Sequence, residues 1–453
     1  MEGLEAALLE WLPSQRWYAD KGREIAALSF DIVAALPGEE PSVDIGVATL
    51  RYAEGPVARY QVQVATRADL PAILEHAVIG SAVPAEGKRL TAYDALHDTD
   101  ATARLYELLA AGADVGLVRF GGGLTGEPLP GRLMGVEQSN SSVVYGDEFI
   151  LKVFRKLSPG VNPDLEVGLA LAQAGCEAIA APLAWFELEQ DGGEPVTLGV
   201  LQAYHRGGTD GWLLAITSVR DLLADPQTRA DEAGGDFAPE SERLGEMTAL
   251  LHRDLRAALG TTDAPAGDQR LTADLMLGRL EVAVAVAPGL SGYADAIKAV
   301  FERFAAAAET APLQRIHGDY HLGQVLRTDY GWLALDFEGE PAKTLAERRT
   351  PMSPLRDVAA MLRSFDYASR HHLLEQDKPS AEVVDRAREW SERNRSAFCD
   401  GYARVNGLDP RASGPLLAAY EIDKAVYEVV YETRNRPTWV GIPLSSIARL
   451  VSA

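Results

Sequence analysis

Cysteine is nearly absent: Cys176 and Cys399 are the only two in 453 residues. They lie far apart in what read as different lobes, so a disulfide framework is excluded and both thiols are expected to be free, as in a reducing compartment. Positive charge is also short. Lys and Arg number 43 against 66 Asp and Glu, a net charge of −23. Nucleic acid and anionic membranes are therefore poor partners, because binding phosphate backbones or acidic headgroups requires a basic surface. No run approaches the ~20 apolar residues of a membrane-spanning helix. The first residues, Met-Glu-Gly-Leu-Glu, lack the basic-then-apolar order of a signal peptide. The expectation is a cytoplasmic protein. Internal repeats, low-complexity segments and long linkers are missing too. The length exceeds one ordinary core and implies two or three lobes.

What is present begins with runs of strand character at 25–36, 43–52 and 59–65. They are separated by the turn clusters Pro37-Gly38 and Gly55-Pro56. With a short helical run at 72–77 packed on them they suggest a β-rich module ending within 85–100, and a second helical run at 101–111 leads out of it. Gly121-Gly-Gly-Leu-Thr-Gly126 satisfies the dinucleotide fingerprint G-x-G-x-x-G, but Glu-Pro-Leu-Pro-Gly131 follows it and cannot open a helix. That motif is a loop. The next stretch carries more: strands at 132–136 and 143–145 enclose Glu137-Gln-Ser-Asn-Ser-Ser142, and Phe149-Ile-Leu-Lys-Val-Phe154 follows. Gln138, Ser139, Asn140, Ser141 and Ser142 suit a hairpin tip that approaches phosphates, and Lys152 suits their neutralisation. Glu166 is the expected partner of Lys152, with Asp164 close enough to compete. Gln202 and Tyr204, at the end of the strand 196–203, are placed beside an adenine.

From Thr217 the pattern turns helical, with a short helix at 218–223 and a long one at 240–259 in which His252 reads as a core or edge histidine. The decisive stretch is His317-Gly-Asp-Tyr-His-Leu-Gly-Gln324 followed by Trp332-Leu-Ala-Leu-Asp336-Phe-Glu-Gly-Glu-Pro341. Two short strands there carry a carboxylate at 319, an amide at 324 and a second carboxylate at 336. Phosphoryl transfer needs such a set: Asp319 to orient and deprotonate a hydroxyl, and Gln324 and Asp336 as oxygen ligands for Mg²⁺ on a nucleotide. Asp-x-x-x-x-Gln matches the kinase spacing Asp-x-x-x-x-Asn with a longer amide. Asp357 reads as a helix-terminal acid that buttresses this loop. Near the end, Lys424, Tyr427, Glu428 and Tyr431 share one helix face, which suits a carbohydrate as well as it suits simple packing.

The chain resembles the bacterial maltokinases over almost its whole length. The residues carrying the likeness include Leu12-Pro-Ser-Gln-Arg-Trp-Tyr18, Glu137-Gln-Ser-Asn-Ser141, Gln314–Arg327, Leu335–Pro341 and Glu421-Ile-Asp-Lys-Ala-Val-Tyr-Glu428. The resemblance implies an α+β, bilobal, aminoglycoside-phosphotransferase-like fold with an N-terminal β-rich cap at 1–90, a nucleotide-binding lobe at 91–203 and a helical lobe at 204–453. It further implies an ATP- and Mg²⁺-dependent kinase that converts maltose to maltose 1-phosphate for glycogen synthesis, with trehalose synthase as a physical partner. His317, Asp319, His321, Lys424, Tyr427, Glu428 and Tyr431 then contact the sugar. The motif 314–341 is shared with glucosamine kinases, so an aminosugar kinase is the same-class alternative. A pseudokinase partner of a glucan enzyme is the non-enzymatic one.

Overall fold

The computed structural model describes residues 3–55, 57–82, 89–135, 139–225, 228–232, 235–265, 267–307, 312–341, 343–375 and 378–452. It divides into two compact units.

The first unit comprises Met1–Leu169 and Ala180–Arg206 and holds two antiparallel sheets. Strands Ile25–Ala35, Ser42–Tyr52 and Ala58–Arg67 form a meander, extended by Leu90–Asp94 and Val78–Ala82. Alternation of apolar residues supplies its buried faces. Ile45, Val47, Val62 and Val64 are buried, and the run 72–77 is a 3₁₀ turn rather than an α-helix. The second sheet pairs Val118–Gly122, Pro182–Leu188, Val196–Ala203, Phe149–Val153, Ser141–Tyr145 and Gly131–Leu133 in that order. No helix directly follows Gly126: Gly121 and Gly122 end the strand Val118–Gly122, and the rest of the run is a loop, as the prolines after it dictate. Arg155 is fully buried between the sheets of this unit. Its guanidinium donates to Asp94 at 2.6 Å, Ser141 Oγ at 2.8 Å and Gln63 at 3.2 Å.

The second unit, Ala170–Ile179 with Gly207–Ala453, is mainly helical. The helix expected at 218–223 runs instead over Gly211–Ala224, because Asp210 caps it by accepting from the Leu213 N–H. Ala238–Leu259 packs along Ala381–Asn406 with glycines at the closest approach. A Cβ on Gly245 or Gly401 would fall within 2.0 Å of the facing backbone. Leu355–Arg370 packs on Gly414–Asn435. The small hairpin Val325–Thr328 and Gly331–Ala334 carries the polar loop that precedes it. Cys176 and Cys399 both lie in this unit rather than in different lobes, since the segment after the helix Pro163–Gln173 belongs to it. Both thiols are free and buried, and burial pushes their pKa values up, to about 11 and about 12.

Candidate active site

The loop 317–324 is held by one buried acid. Asp357, at the start of Leu355–Arg370, accepts from the His317 N–H at 2.8 Å and the Gly318 N–H at 3.0 Å. Gly318 sits at φ 85°, a conformation that favours glycine. Behind Asp357 stands His252, whose Nε2 lies 3.2 Å from the carboxylate while Nδ1 faces the Tyr402 hydroxyl at 3.0 Å. Burial opposes charge on Asp357, but the hydrogen bonds from His252 and Gly318 win and lower its pKa. His252 is thus a core histidine, and its service is to hold the acid that holds the loop.

His317 is buried and uses both ring nitrogens inside the hairpin. Nε2 donates to the Leu335 carbonyl at 2.8 Å, and Nδ1 accepts from the Asp319 N–H at 3.4 Å. These two bonds hold the ring inside the hairpin. They also leave the ring no spare nitrogen for a sugar hydroxyl, so the sequence-based role of His317 as a sugar contact meets a residue already committed. His321 closes the next turn by accepting from the Gly323 N–H at 3.0 Å. Burial lowers its pKa.

Asp319 emerges from this frame partly exposed. Lys424 Nζ lies 3.6 Å from its Oδ1 and 2.9 Å from Glu340 Oε1. Burial opposes charge on Glu340 as well, yet Lys424 and Lys343 bring its carboxyl down to about 2. Lys424 is in turn kept protonated against burial by Glu340 and Asp319. Across the hairpin, Gln324 Nε2 donates to Asp336 Oδ2 at 3.1 Å. Asp336 has φ 63°, and among the described residues it alone combines a side chain with positive φ. Such backbone costs of order 1–3 kcal/mol and persists where the surroundings impose it. Asp336 and Gln324 thus meet as a carboxylate and an amide, and oxygen donors of these two kinds belong to the hard set that suits Mg²⁺.

A cavity of about 380 Å³ opens beside Asp319. Lys424, Tyr427, Glu428 and Tyr431, all from Gly414–Asn435, line it with His321. The Tyr427 and Tyr431 rings are near-parallel at 6.5 Å and about half exposed. Sequence reasoning left out Trp212, Tyr367, Glu432 and Arg436, which line the same cavity. Glu432 and Arg436 continue the i, i+4 series from Glu428, and that period was the available signal. Each carboxylate here faces a cation: Glu428 Oε2 accepts from Arg363 at 2.7 Å, and Glu432 Oε1 from Arg436 at 2.6 Å.

In the first unit Lys152 Nζ lies 3.2 Å from Asp164 Oδ2, the acid that competed with Glu166 for this role. Ser141 and Ser142 are buried within a strand, with Ser141 engaged by Arg155. Ser139 and Asn140 precede that strand, and Gln138 lies outside the described residues. Gln202 Nε2 donates to the Ala180 carbonyl at 2.9 Å, and the Tyr204 N–H to the Glu148 carbonyl at 2.7 Å.

Residues 131–405 match the phosphotransferase enzyme family, and residues 11–98 match the maltokinase N-terminal cap domain. The chain belongs to the phosphotransferase enzyme family. With its cap it is a maltokinase-like kinase of the aminoglycoside-phosphotransferase type, and the α+β fold is the expected one. A glucosamine kinase of Streptacidiphilus jiangxiensis is 32% identical over 332 residues, 70% of this chain and 72% of that one. A glucosamine kinase of Mycolicibacterium smegmatis is 28% identical over 331 residues, 70% of this chain and 78% of its own. The solved structure of a glucosamine kinase in complex with glucosamine, ADP and inorganic phosphate is similar over 98% of both chains, with TM-score 0.70 and 25% identity. A kinase acting on a sugar with an ATP-type nucleotide is the activity these findings support, so the pseudokinase alternative falls away. No described helix is long and apolar enough to cross a membrane.

Proposed function

We propose that this kinase transfers the γ-phosphoryl group of ATP to the anomeric hydroxyl of maltose, giving maltose 1-phosphate. The observation that carries the reading is the cavity beside Asp319, whose paired tyrosines offer a platform for sugar C–H faces and whose carboxylates are already neutralised. A neutral sugar suits that balance. Glucosamine is the second reading, favoured by the names of the relatives and by the glucosamine held in the solved complex. Its ammonium group would have to displace Lys424, Arg363 or Arg436 from an acid.

In this reading Asp319 orients the hydroxyl and takes its proton, while Lys424 steadies the carboxylate. Lys152, held by Asp164 with Glu166 nearby in sequence, contacts the nucleotide phosphates, and Ser139 and Asn140 cover them. Gln202 and Tyr204 border the adenine. Gln324 and Asp336 would hold Mg²⁺, which when bound neutralises charge on those phosphates. Residues 1–90 form the cap, and trehalose synthase, as a source of maltose, is the proposed physical partner.

Two experiments follow. In a panel with ATP, maltose should outperform glucose and glucosamine, with the phosphate acid-labile and the reducing end lost. Tyr431→Ala should raise the KM for maltose about tenfold, since stacking on an aromatic face is worth roughly 0.5–1.5 kcal/mol beyond area burial, and leave the KM for ATP in place. Glucosamine as best substrate, or phosphate on a primary hydroxyl, would end the maltose reading. For the metal, Asp336→Asn keeps a residue that tolerates positive φ but removes the charge. It should raise the Mg²⁺ concentration for half-maximal rate by about an order of magnitude or more, and Gln324→Ala by less. Magnesium curves that overlay the parent's would move the metal site elsewhere.

A further inference from the structure

The last two turns of the helix Leu355–Arg370 border two separate cavities with different residues. Ser364 and Tyr367 line the aromatic one. Asp366 and Arg370 line a second, of about 440 Å³, together with Arg388, Glu392, Ser446 and Arg449. We propose that this second cavity binds a phosphate group as a regulatory anion site, and that Arg363 couples it to the sugar cavity.

Its cations are concentrated in a chain of net charge −23. Three arginines line it, against Asp366 and Glu392. Asp366 is spent: it accepts from Arg363 and Arg449 at 2.7 Å each, from Ser391 at 2.6 Å and from Ser446 at 3.0 Å. Arg388 reaches Asp385 at 3.0 Å. The Arg370 guanidinium makes no hydrogen bond or ion pair among the described residues. Burial lowers its pKa, with Arg363, Arg449 and Arg388 adding to the repulsion and Asp366 opposing it. A partly buried guanidinium beside open space, with further arginines around it, fits the oxygens of a phosphate better than it fits water alone. Inorganic phosphate and a sugar phosphate share that chemistry.

Arg363 is fully buried and divides its donors between the two cavities. Nη1 reaches Asp366 at 2.7 Å, and Nε and Nη2 reach Glu428 at 3.0 and 2.7 Å. An anion that draws Arg449 away from Asp366 leaves that acid more dependent on Arg363, at the expense of Glu428. Binding should therefore raise the KM for the sugar. The coupling rests on the aromatic cavity being the sugar site; the anion site does not.

The test is calorimetric titration of the full chain with inorganic phosphate, and separately with glucose 1-phosphate. A non-hydrolysable ATP analogue is kept saturating, so that the nucleotide's own phosphate contacts are filled. Arg370→Gln should weaken the remaining binding event about ten- to hundredfold, the usual worth of a charge-assisted hydrogen bond. Arg370→Lys should weaken it less, and the exposed Arg388→Gln serves if Arg370→Gln lowers the melting temperature. Whichever ligand binds more tightly identifies the source. Equal binding by parent, Arg370→Gln and Arg388→Gln, or no binding by the parent, overturns the site. In kinetics, phosphate should raise the sugar KM of the parent but not of Arg370→Gln. A KM in the parent that ignores phosphate overturns the coupling. Failure to turn over any tested sugar would count against the kinase reading, while the calorimetry would still stand or fall alone.

Discussion

Asp319→Asn is expected to lower kcat by about 10²–10⁴, with KM for sugar and nucleotide changed by no more than about threefold. The substitution keeps shape and hydrogen-bonding reach but removes the charge that orients a hydroxyl and accepts its proton. Little else depends on that charge. The loop around Asp319 is pinned through backbone N–H groups by Asp357, and Lys424 keeps Glu340 at 2.9 Å when its weaker contact at 3.6 Å loses charge. The fold should therefore be untouched, and thermal unfolding should superpose on the parent's. Single-turnover measurement with ATP separates chemistry from product release. Turnover within about threefold of the parent would remove Asp319 from the role of base.

The chemistry of the hairpin was legible because its groups follow one another in sequence: 319, 324 and 336 flank one short antiparallel pair, and an i, i+4 series marks the tyrosine face. What could not be read was pairing across distance. Asp357 showed as a helix-terminal acid that steadies the loop, but its support comes from His252, 105 positions away, and Tyr402 lies 150 beyond that histidine. A lone histidine on an apolar helix face carries no sign of such a partner. Arg155 gave no warning either, and it binds Ser141, a residue whose small polar character suggested a phosphate loop. The side-chain period in a strand cannot tell a hydroxyl facing a ligand from one facing a buried guanidinium. Lys152 meets Asp164 in the first turn of the helix Pro163–Gln173, and a sequence pattern alone does not say which acid of that turn comes within reach of the Lys152 strand.

Asp357→Ala is expected to destabilise the second unit by about 3–5 kcal/mol, the usual cost of removing one member of a buried charged cluster. It leaves the His317 and Gly318 N–H groups and the His252 Nε2–H facing an apolar methyl, and buried donors without acceptors are costly. The urea midpoint should fall, and the His317 and Gly318 amides should lose hydrogen-exchange protection. Asp357→Asn is the sharper probe, since it keeps the volume and one acceptor oxygen but turns an NH₂ toward donors. It should lower kcat as well, because the backbone carrying Asp319 is no longer fixed. Acid supplies the check on mechanism. The folded pKa of Asp357 is depressed below the unfolded value of about 3.9. Its charge therefore contributes stability that is complete above that value and is lost as pH falls through the folded one. The gap between the parent and Asp357→Asn should be widest near pH 7 and narrow below about pH 4. A gap that stays constant to pH 3, or equal urea midpoints at pH 7, would show that the loop is held by something other than this carboxylate.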